Sequence, residues 1–138
     1  MNEFRFYHPI EVRYGDLDPQ QHVNNARYLT YIEQARIAYV KELGLWDGKS
    51  FQEIGIILAE VRVTYKAPIL WGQAIQVGMK INRLGNKSVD VIYAIEDIPT
   101  GDLHATASTV QVAYDYKTSQ TIPIPEDWRQ IITEYEGI

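Results

Sequence analysis

The stretch that decides the fold is GDLDPQQHVNNARYLTYIEQARIAYVKEL, residues 15–43. In it a polar turn runs straight into a long helical pattern. Asp16, Asp18, His22, Asn24 and Asn25 cluster in the turn, Pro19 fixes its course, and Asn24 or Asn25 can cap the helix that follows. A carboxylate, an imidazole and two carboxamides therefore face a helix N-terminus. Such an end offers unpaired backbone N–H groups and a partial positive charge, which together hold an anion or a developing oxyanion. The arrangement suits acyl chemistry.

The helix explains why the turn should be held still. Tyr28, Leu29, Ile32, Ala35, Tyr39 and Leu43 follow helical spacing, while Ala26, Tyr31, Ile37, Ala38 and Val40 spread apolar surface around most of the circumference. A helix apolar nearly all round is a buried one. Gly44 supplies the expected C-terminal stop. At about 1.5 Å per residue, Ala26 to Leu43 covers roughly 27 Å, enough to cross a small domain. These features predict a central helix wrapped by a sheet.

With 138 residues the chain suits one domain, residues 1–138, able to bury a sizeable core without staples. It shows no internal repeat, low-complexity tract or linker. Having no cysteine, it carries no disulfide framework, thiolate nucleophile or zinc–cysteine site, and an intracellular, cytoplasmic setting is expected. The start, MNEFRFYHPIEVRY, alternates and carries charge, unlike a secretory signal or a membrane span. A net charge of −5 argues against general nucleic-acid binding but leaves room for a local basic patch that meets a phosphorylated ligand.

Along the rest of the chain, Phe4, Phe6, His8, Ile10 and Val12 alternate with Arg5, Tyr7, Glu11 and Arg13, which predicts a half-buried strand over residues 3 to 13. LWDGKSFQEIG, after the helix, is rich in turn formers and is expected to loop over the surface, with one helical turn near Phe51. Ile57–Lys66, Gln73–Arg83, Ser88–Asp97 and Leu103–Tyr116 are four β-rich runs separated by APILWG, LGNK and IPTGD. Connections this short imply antiparallel neighbours. PIPEDWRQIITEY begins with a proline stop and reads as a C-terminal helix with Trp128 and Ile132 packed down. The sum is an α+β domain with an antiparallel sheet of five to six strands and open edges. Such edges favour pairing with a second copy, so a homodimer or homotetramer is expected.

Within the turn, each polar residue has a structural and a functional reading. An Asp before a proline often does no more than cap its own turn. The company of Asp16, His22 and a helix start favours a functional role for Asp18, whereas Asp16 is read as structural. His22 can be a satisfied core histidine, a metal ligand or a group that orients the carboxylate. No second His- or carboxylate-rich cluster completes a ligand set, and His8 and His104 stand alone in strands, so no metal is expected. Capping and catalysis are compatible for Asn24 and Asn25, since both need the helix N-terminus. Tyr28, Tyr31 and Tyr39 read as core, and Glu33 with Arg36 as an i,i+3 pair. There is no G-x-S-x-G, no G-x-G-x-x-G, and GNKS lacks the rest of a phosphate-binding loop. On the residues alone, the basic side chains Arg62, Lys66, Lys80, Arg83 and Lys87 read as solvated surface.

The string VRYGDLDPQQHVNNARYLTYIEQAR resembles the signature of hotdog-fold acyl-CoA thioesterases related to 4-hydroxybenzoyl-CoA thioesterase. It is similar to the branch carrying D-x-x-x-H-V-N-N, which includes bacterial long-chain acyl-CoA thioesterases and resembles plant acyl-ACP thioesterases. The likeness continues through VRVTYKAPILWGQAIQV, TASTVQVAYDYKT and PIPEDWR, most of the chain. By that resemblance Asp18 takes the place of the catalytic carboxylate, the second Asp of a D-x-D pair, and the backbone N–H near Asn25 that of the oxyanion donor. His22 and Asn24 match polar residues that orient the carboxylate or water. One departure stands out: relatives often have Gly before the His, where this chain has Gln21, and Gln reaches φ > 0 less freely.

The resemblance implies thioester hydrolysis of acyl-CoA or acyl-ACP, with Asp18 as general base or as nucleophile. CoA is then part of the substrate and no cofactor is required. The acyl chain would lie between the helix and the sheet or a partner subunit, and the CoA phosphates near Arg83, Lys87 or Arg62. A hotdog domain that binds acyl thioesters without hydrolysing them, or a dehydratase-like relative, is the alternative.

Overall fold

The computed structural model describes residues 3–46 and 54–138. The helical turn expected near Phe51 lies outside the described residues. The strands are β1 (Phe6–Ile10), β2 (Ile54–Tyr65), β3 (Ile75–Leu84), β4 (Ser88–Asp97), β5 (Leu103–Asp115) and a short β6 (Gln120–Thr121), with helices α1 (Asn25–Glu42) and α2 (Glu126–Glu136). All strand pairs are antiparallel, in the order β1-β3-β4-β5-β2, and β6 pairs with β5.

One face of this sheet carries the core. Ile75, Val77, Met79 and Ile81 of β3 and Val89, Val91, Tyr93 and Ile95 of β4 are buried at every second position, as strand pleating requires. Against them α1 sets Tyr28, Tyr31, Ile32, Ala35, Tyr39 and Val40, which recur at each turn of the helix. The outer stripe of α1 is not buried within this chain: Leu29 is exposed and Ile37 and Ala38 are half-buried. The all-round apolar pattern therefore overstates the burial that one copy provides.

The ends of α1 are fixed by local chemistry. Asn24 is the N-cap, its Oδ1 accepting from Ala26 N at 2.9 Å. At the other end Gly44 adopts φ 74°, while its N–H donates to the Lys41 carbonyl and that of Leu45 to the Val40 carbonyl, which closes a Schellman motif. α2 starts after Pro125 with Glu126 and Asp127 in its first turn, favourable to the helix dipole. Its last residue, Glu136, accepts from Tyr39 Oη at 2.6 Å and from Ile81 N at 3.0 Å, so a carboxylate covers the part of β3 that lies beyond the end of β1.

Two expectations need correction. β1 is shorter than residues 3–13, because after Ile10 the chain leaves the sheet and tightens into a 3₁₀ turn at Tyr14–Asp16. β2 does not neighbour β3, despite the short connection. It pairs with β5 at the far edge, three strands away, or about 14 Å at ordinary strand spacing. Residues 66–74 cross the end of the sheet to span that gap, and this crossing meets the polar turn before α1. Among the described residues no helix is long and apolar enough to cross a membrane.

Candidate active site

Residues 17–23 form a small hairpin. Leu17 bridges Val23, Asp18 N donates to the His22 carbonyl at 2.9 Å, and Gln21 N donates to the Asp18 carbonyl at 2.8 Å. The three-residue loop Pro19–Gln21 ends with Gln21 at φ 65°, the left-handed third position of a turn followed by a bulge. Gln21 thus takes a backbone conformation that a glycine would take more freely.

The crossing segment clamps the hairpin from beneath. Val23 N donates to the Ile69 carbonyl at 2.9 Å, and His22 forms a bridge with Leu70. Asp16 serves the scaffold with both carboxylate oxygens. Oδ2 accepts from Tyr31 Oη at 2.7 Å and from Arg13 N at 3.0 Å, and Arg27 Nε lies 3.7 Å from Oδ1. Burial and this carboxylate push the Tyr31 phenol far above the usual tyrosine range.

Asp18 divides its work. Its Oδ1 accepts from Gln20 N at 2.9 Å, the local turn-capping bond. Oδ2 has no hydrogen-bond partner among the described residues. The side chain is half-buried, as is that of His22.

The amides at the start of α1 can be accounted for one by one. Asn24 N donates to the Asp16 carbonyl at 2.8 Å, Ala26 N to Asn24 Oδ1, and Arg27 N to the Asn24 carbonyl at 2.8 Å. Asn25 N is left over, with no partner among the described residues. Nearby, Tyr65 Oη donates to the Asn25 carbonyl at 3.1 Å, which ties the end of β2 to the first residue of the helix. Tyr65 also packs edge-on against Tyr28 at 4.9 Å, and burial raises the Tyr28 phenol above its ordinary value.

Two recesses meet at the hairpin and share Asp18, Gln20 and His22. One, of about 240 Å³, also holds Asn25, Tyr28, Tyr65 and Lys66. The other, of about 620 Å³, holds Tyr14, Leu17, Gln21, Leu70 and Trp71. Asp18, with Oδ2 unbonded, and Asn25, with its helix-end amide unpaired, therefore line one recess, the two kinds of group needed to activate an attacking group and to stabilise the oxyanion it creates.

Of the residues singled out in the sequence, Asp18, His22 and Asn25 border that recess together. Asn24 is beside them, exposed, and occupied as the helix cap. Arg83 and Lys87 are elsewhere, at the β3–β4 hairpin, roughly 25 Å along β3 from the end that meets the crossing segment. There Arg83 faces Asp90 at 3.7 Å, and Lys87 Nζ donates to Thr121 Oγ1 at 3.3 Å. Among the described residues, neither lines the two recesses that hold Asp18. The reason is directional: β3 starts at the site and carries its far-end residues away from it. Arg62 stands on edge strand β2, three residues before Tyr65, or about 10 Å.

Lys66, Tyr65, Tyr14 and Trp71 border the site although nothing local to their positions pointed to a functional role. The usable hint was Ile-Leu-Trp inside a turn segment, since a loop that only reverses the chain has no need of three large apolar residues. Among the described residues there is no cluster of three or more His, Cys, Asp or Glu able to hold a metal.

The class that this fold defines agrees with comparison to known proteins. Residues 12–132 match the family model of the thioesterase-like superfamily, and the chain belongs to that superfamily. It is 30% identical over 130 residues to the long-chain acyl-CoA thioesterase FadM of Escherichia coli, covering 88% of this chain and 92% of that one. A thioesterase from Thermus thermophilus, solved in complex with coenzyme A and Zn, is 32% identical with a TM-score of 0.84, over 100% of this chain and 99% of the other. The PA5185 protein of Pseudomonas aeruginosa superposes with a TM-score of 0.87 at 27% identity, over 96% and 92% of the two chains. The architecture is the hotdog fold.

Proposed function

We propose that the protein hydrolyses acyl-CoA thioesters at the meeting point of Asp18 and the α1 N-terminus. The observation that carries this reading is that Asp18, whose Oδ2 is unbonded, and Asn25, whose N–H is unpaired, line one recess. Membership of the thioesterase-like superfamily and likeness to an acyl-CoA thioesterase and to a CoA-bound thioesterase support it.

In this mechanism the thioester oxygen points at Asn25 N–H. Asp18 Oδ2 takes a proton from water as the water oxygen bonds to the carbonyl carbon, and the oxyanion forms against the helix end. Collapse breaks the C–S bond, and the proton held by Asp18 passes to the departing sulfur, so the products are a carboxylic acid and a free thiol. Direct attack of the same oxygen, giving an acyl anhydride that water then opens, uses the same geometry. His22, beside Asp18 in both recesses, orients the carboxylate or the water. The site calls for no cofactor. Lys66 is the cation that meets the CoA arm within one chain; Arg83 and Lys87 reach it only from a second copy. The half-buried stripe on α1 and the open sheet edges suit a homo-oligomer, and the enzyme acts in the cytoplasm.

The test is thiol release and acid formation measured together on acetyl-, decanoyl- and benzoyl-CoA. One thiol per acid, on at least one of these substrates, is the expected result. Saturable binding of all three with no thiol released would make the protein a binder and overturn the reading.

A further inference from the structure

The larger recess beside Asp18 is walled by aromatic surface that nothing in the fold requires. Trp71 is 62% exposed and Tyr14 73%, their rings meeting edge to face at 5.5 Å, and Leu70 next to them is also exposed. Exposed apolar clusters of this kind mark places where something binds.

This surface is held out by construction. Trp71 and Gly72 occupy the two central positions of a tight turn, with Gly72 at φ 90°. Gln73 closes the turn twice: its N–H donates to the Leu70 carbonyl at 3.3 Å, and its Oε1 accepts from Leu70 N at 2.7 Å. The bridge between Leu70 and His22 then fastens the turn to the hairpin that carries Asp18.

The division of charge between the recesses assigns the occupant. With the thioester oxygen at Asn25 N–H, the carbonyl carbon stands at Asp18, on the wall between them. Lys66 lies in the smaller recess, whereas the larger one has no Lys or Arg among its lining residues and does contain the Asp18 carboxylate. A polyanionic CoA arm is therefore drawn to the Lys66 side. We propose that the Tyr14–Trp71 shelf receives the acyl group and selects medium to long aliphatic or aromatic acyl chains over acetyl. Resting on the hydrolytic reading above, this assigns its specificity. The recess volume, about 620 Å³, lies within the ordinary range for small-molecule sites.

The experiment compares kcat/KM of the parent, Trp71→Ala, Trp71→Phe and Tyr14→Ala on acetyl-, decanoyl- and benzoyl-CoA. These side chains are exposed, and far-UV circular dichroism with melting temperature checks that each variant is folded before rates are compared. The proposal expects Trp71→Ala to lose about tenfold or more in kcat/KM on decanoyl- and benzoyl-CoA relative to its effect on acetyl-CoA, with Trp71→Phe restoring most of the loss. An equal loss on all three substrates would hand the shelf to the CoA arm and overturn the proposal. No loss on any would overturn it as well, and a self-association that Trp71→Ala weakens would then show a surface covered by a second copy. A parent that releases thiol from none of the three is a different failure, that of the hydrolytic reading itself.

Discussion

Gln21 shows how one residue's strain is set by its neighbours. The hairpin needs a left-handed third loop position to bring Asp18 N and the His22 carbonyl together, and Gln21 adopts φ 65° to supply it. Left-handed backbone costs a side-chain-bearing residue about 1–2 kcal/mol, and glycine would return about 0.5–1 kcal/mol of that as chain entropy. Gln21→Gly should therefore stabilise the protein by about 0.5–1 kcal/mol, read from urea denaturation midpoints. A destabilised variant would mean that the Gln21 side chain makes contacts worth more than its backbone strain. His104 carries a second residue-scale prediction. It sits in β5 where the pairing skips it, Ile95 facing Ala105 and Glu96 facing Leu103, and it is buried with neither ring nitrogen bonded among the described residues. Removing an unsatisfied buried polar group releases about 1–3 kcal/mol. His104→Leu, of similar size, should raise the melting temperature, and a fall would reveal a partner for the ring. The polar turn was legible at this scale because its chemistry is local: Asn24 caps, Asp18 closes an Asx turn, and Gly44 ends the helix. The free amide of Asn25 was legible only as a position, since showing it unpaired requires the partners of Asn24, Ala26 and Arg27 to be known.

At the scale of elements, α1 is tied to the rest of the fold by phenols that meet carboxylates. Tyr31 donates to Asp16 and Tyr39 to Glu136, and in both cases burial first and the carboxylate second raise the phenol far above its ordinary pKa of 10.0. An unfolded tyrosine loses its proton near pH 10 while these two keep theirs, so the unfolded chain gains relative stability as pH climbs past that point. Stability from this source is whole below pH 10 and declines steadily above it. Tyr39→Phe, which removes the titrating group, should flatten the alkaline limb of a melting-temperature profile, and an unaltered limb would contradict the assignment. The strands were visible in the sequence as alternating runs, and β4 falls at Ser88–Asp97 as its turn residues implied. The order of the sheet was not visible. The apolar run Ile-Leu-Trp in APILWG hints at more than a reversal but not at its course, which is settled by the long-range pairing of β2 with β5. That crossing brings Tyr65, Lys66 and Trp71 to Asp18, which is why the site's second half escaped a reading made along the chain.

For the whole molecule, the outward stripe of Leu29, Ile37 and Ala38 and the twelve-residue edge strand β2 are surfaces that one copy leaves uncovered. A homodimer or larger homo-oligomer at micromolar concentration is the expected state by light scattering, and a fully active monomer would contradict it. In such an assembly Arg83→Ala should raise KM for acyl-CoA with little change in kcat, because a phosphate contact serves substrate and transition state alike. Whether the molecule is an enzyme of the stated mechanism turns on Asp18→Asn. The amide preserves the bond from Gln20 N and so the hairpin, but abolishes the carboxylate's charge and basicity. Losing a general base costs about 10²–10⁴-fold in rate, while the oxyanion donor, worth roughly 2.7–4 kcal/mol, stays in place at the helix end. The most direct measurement is kcat together with equilibrium affinity for decanoyl-CoA in the parent and in Asp18→Asn. The account predicts that kcat collapses by at least about a hundredfold with affinity kept or improved; a folded variant retaining kcat within a few fold of the parent would contradict it.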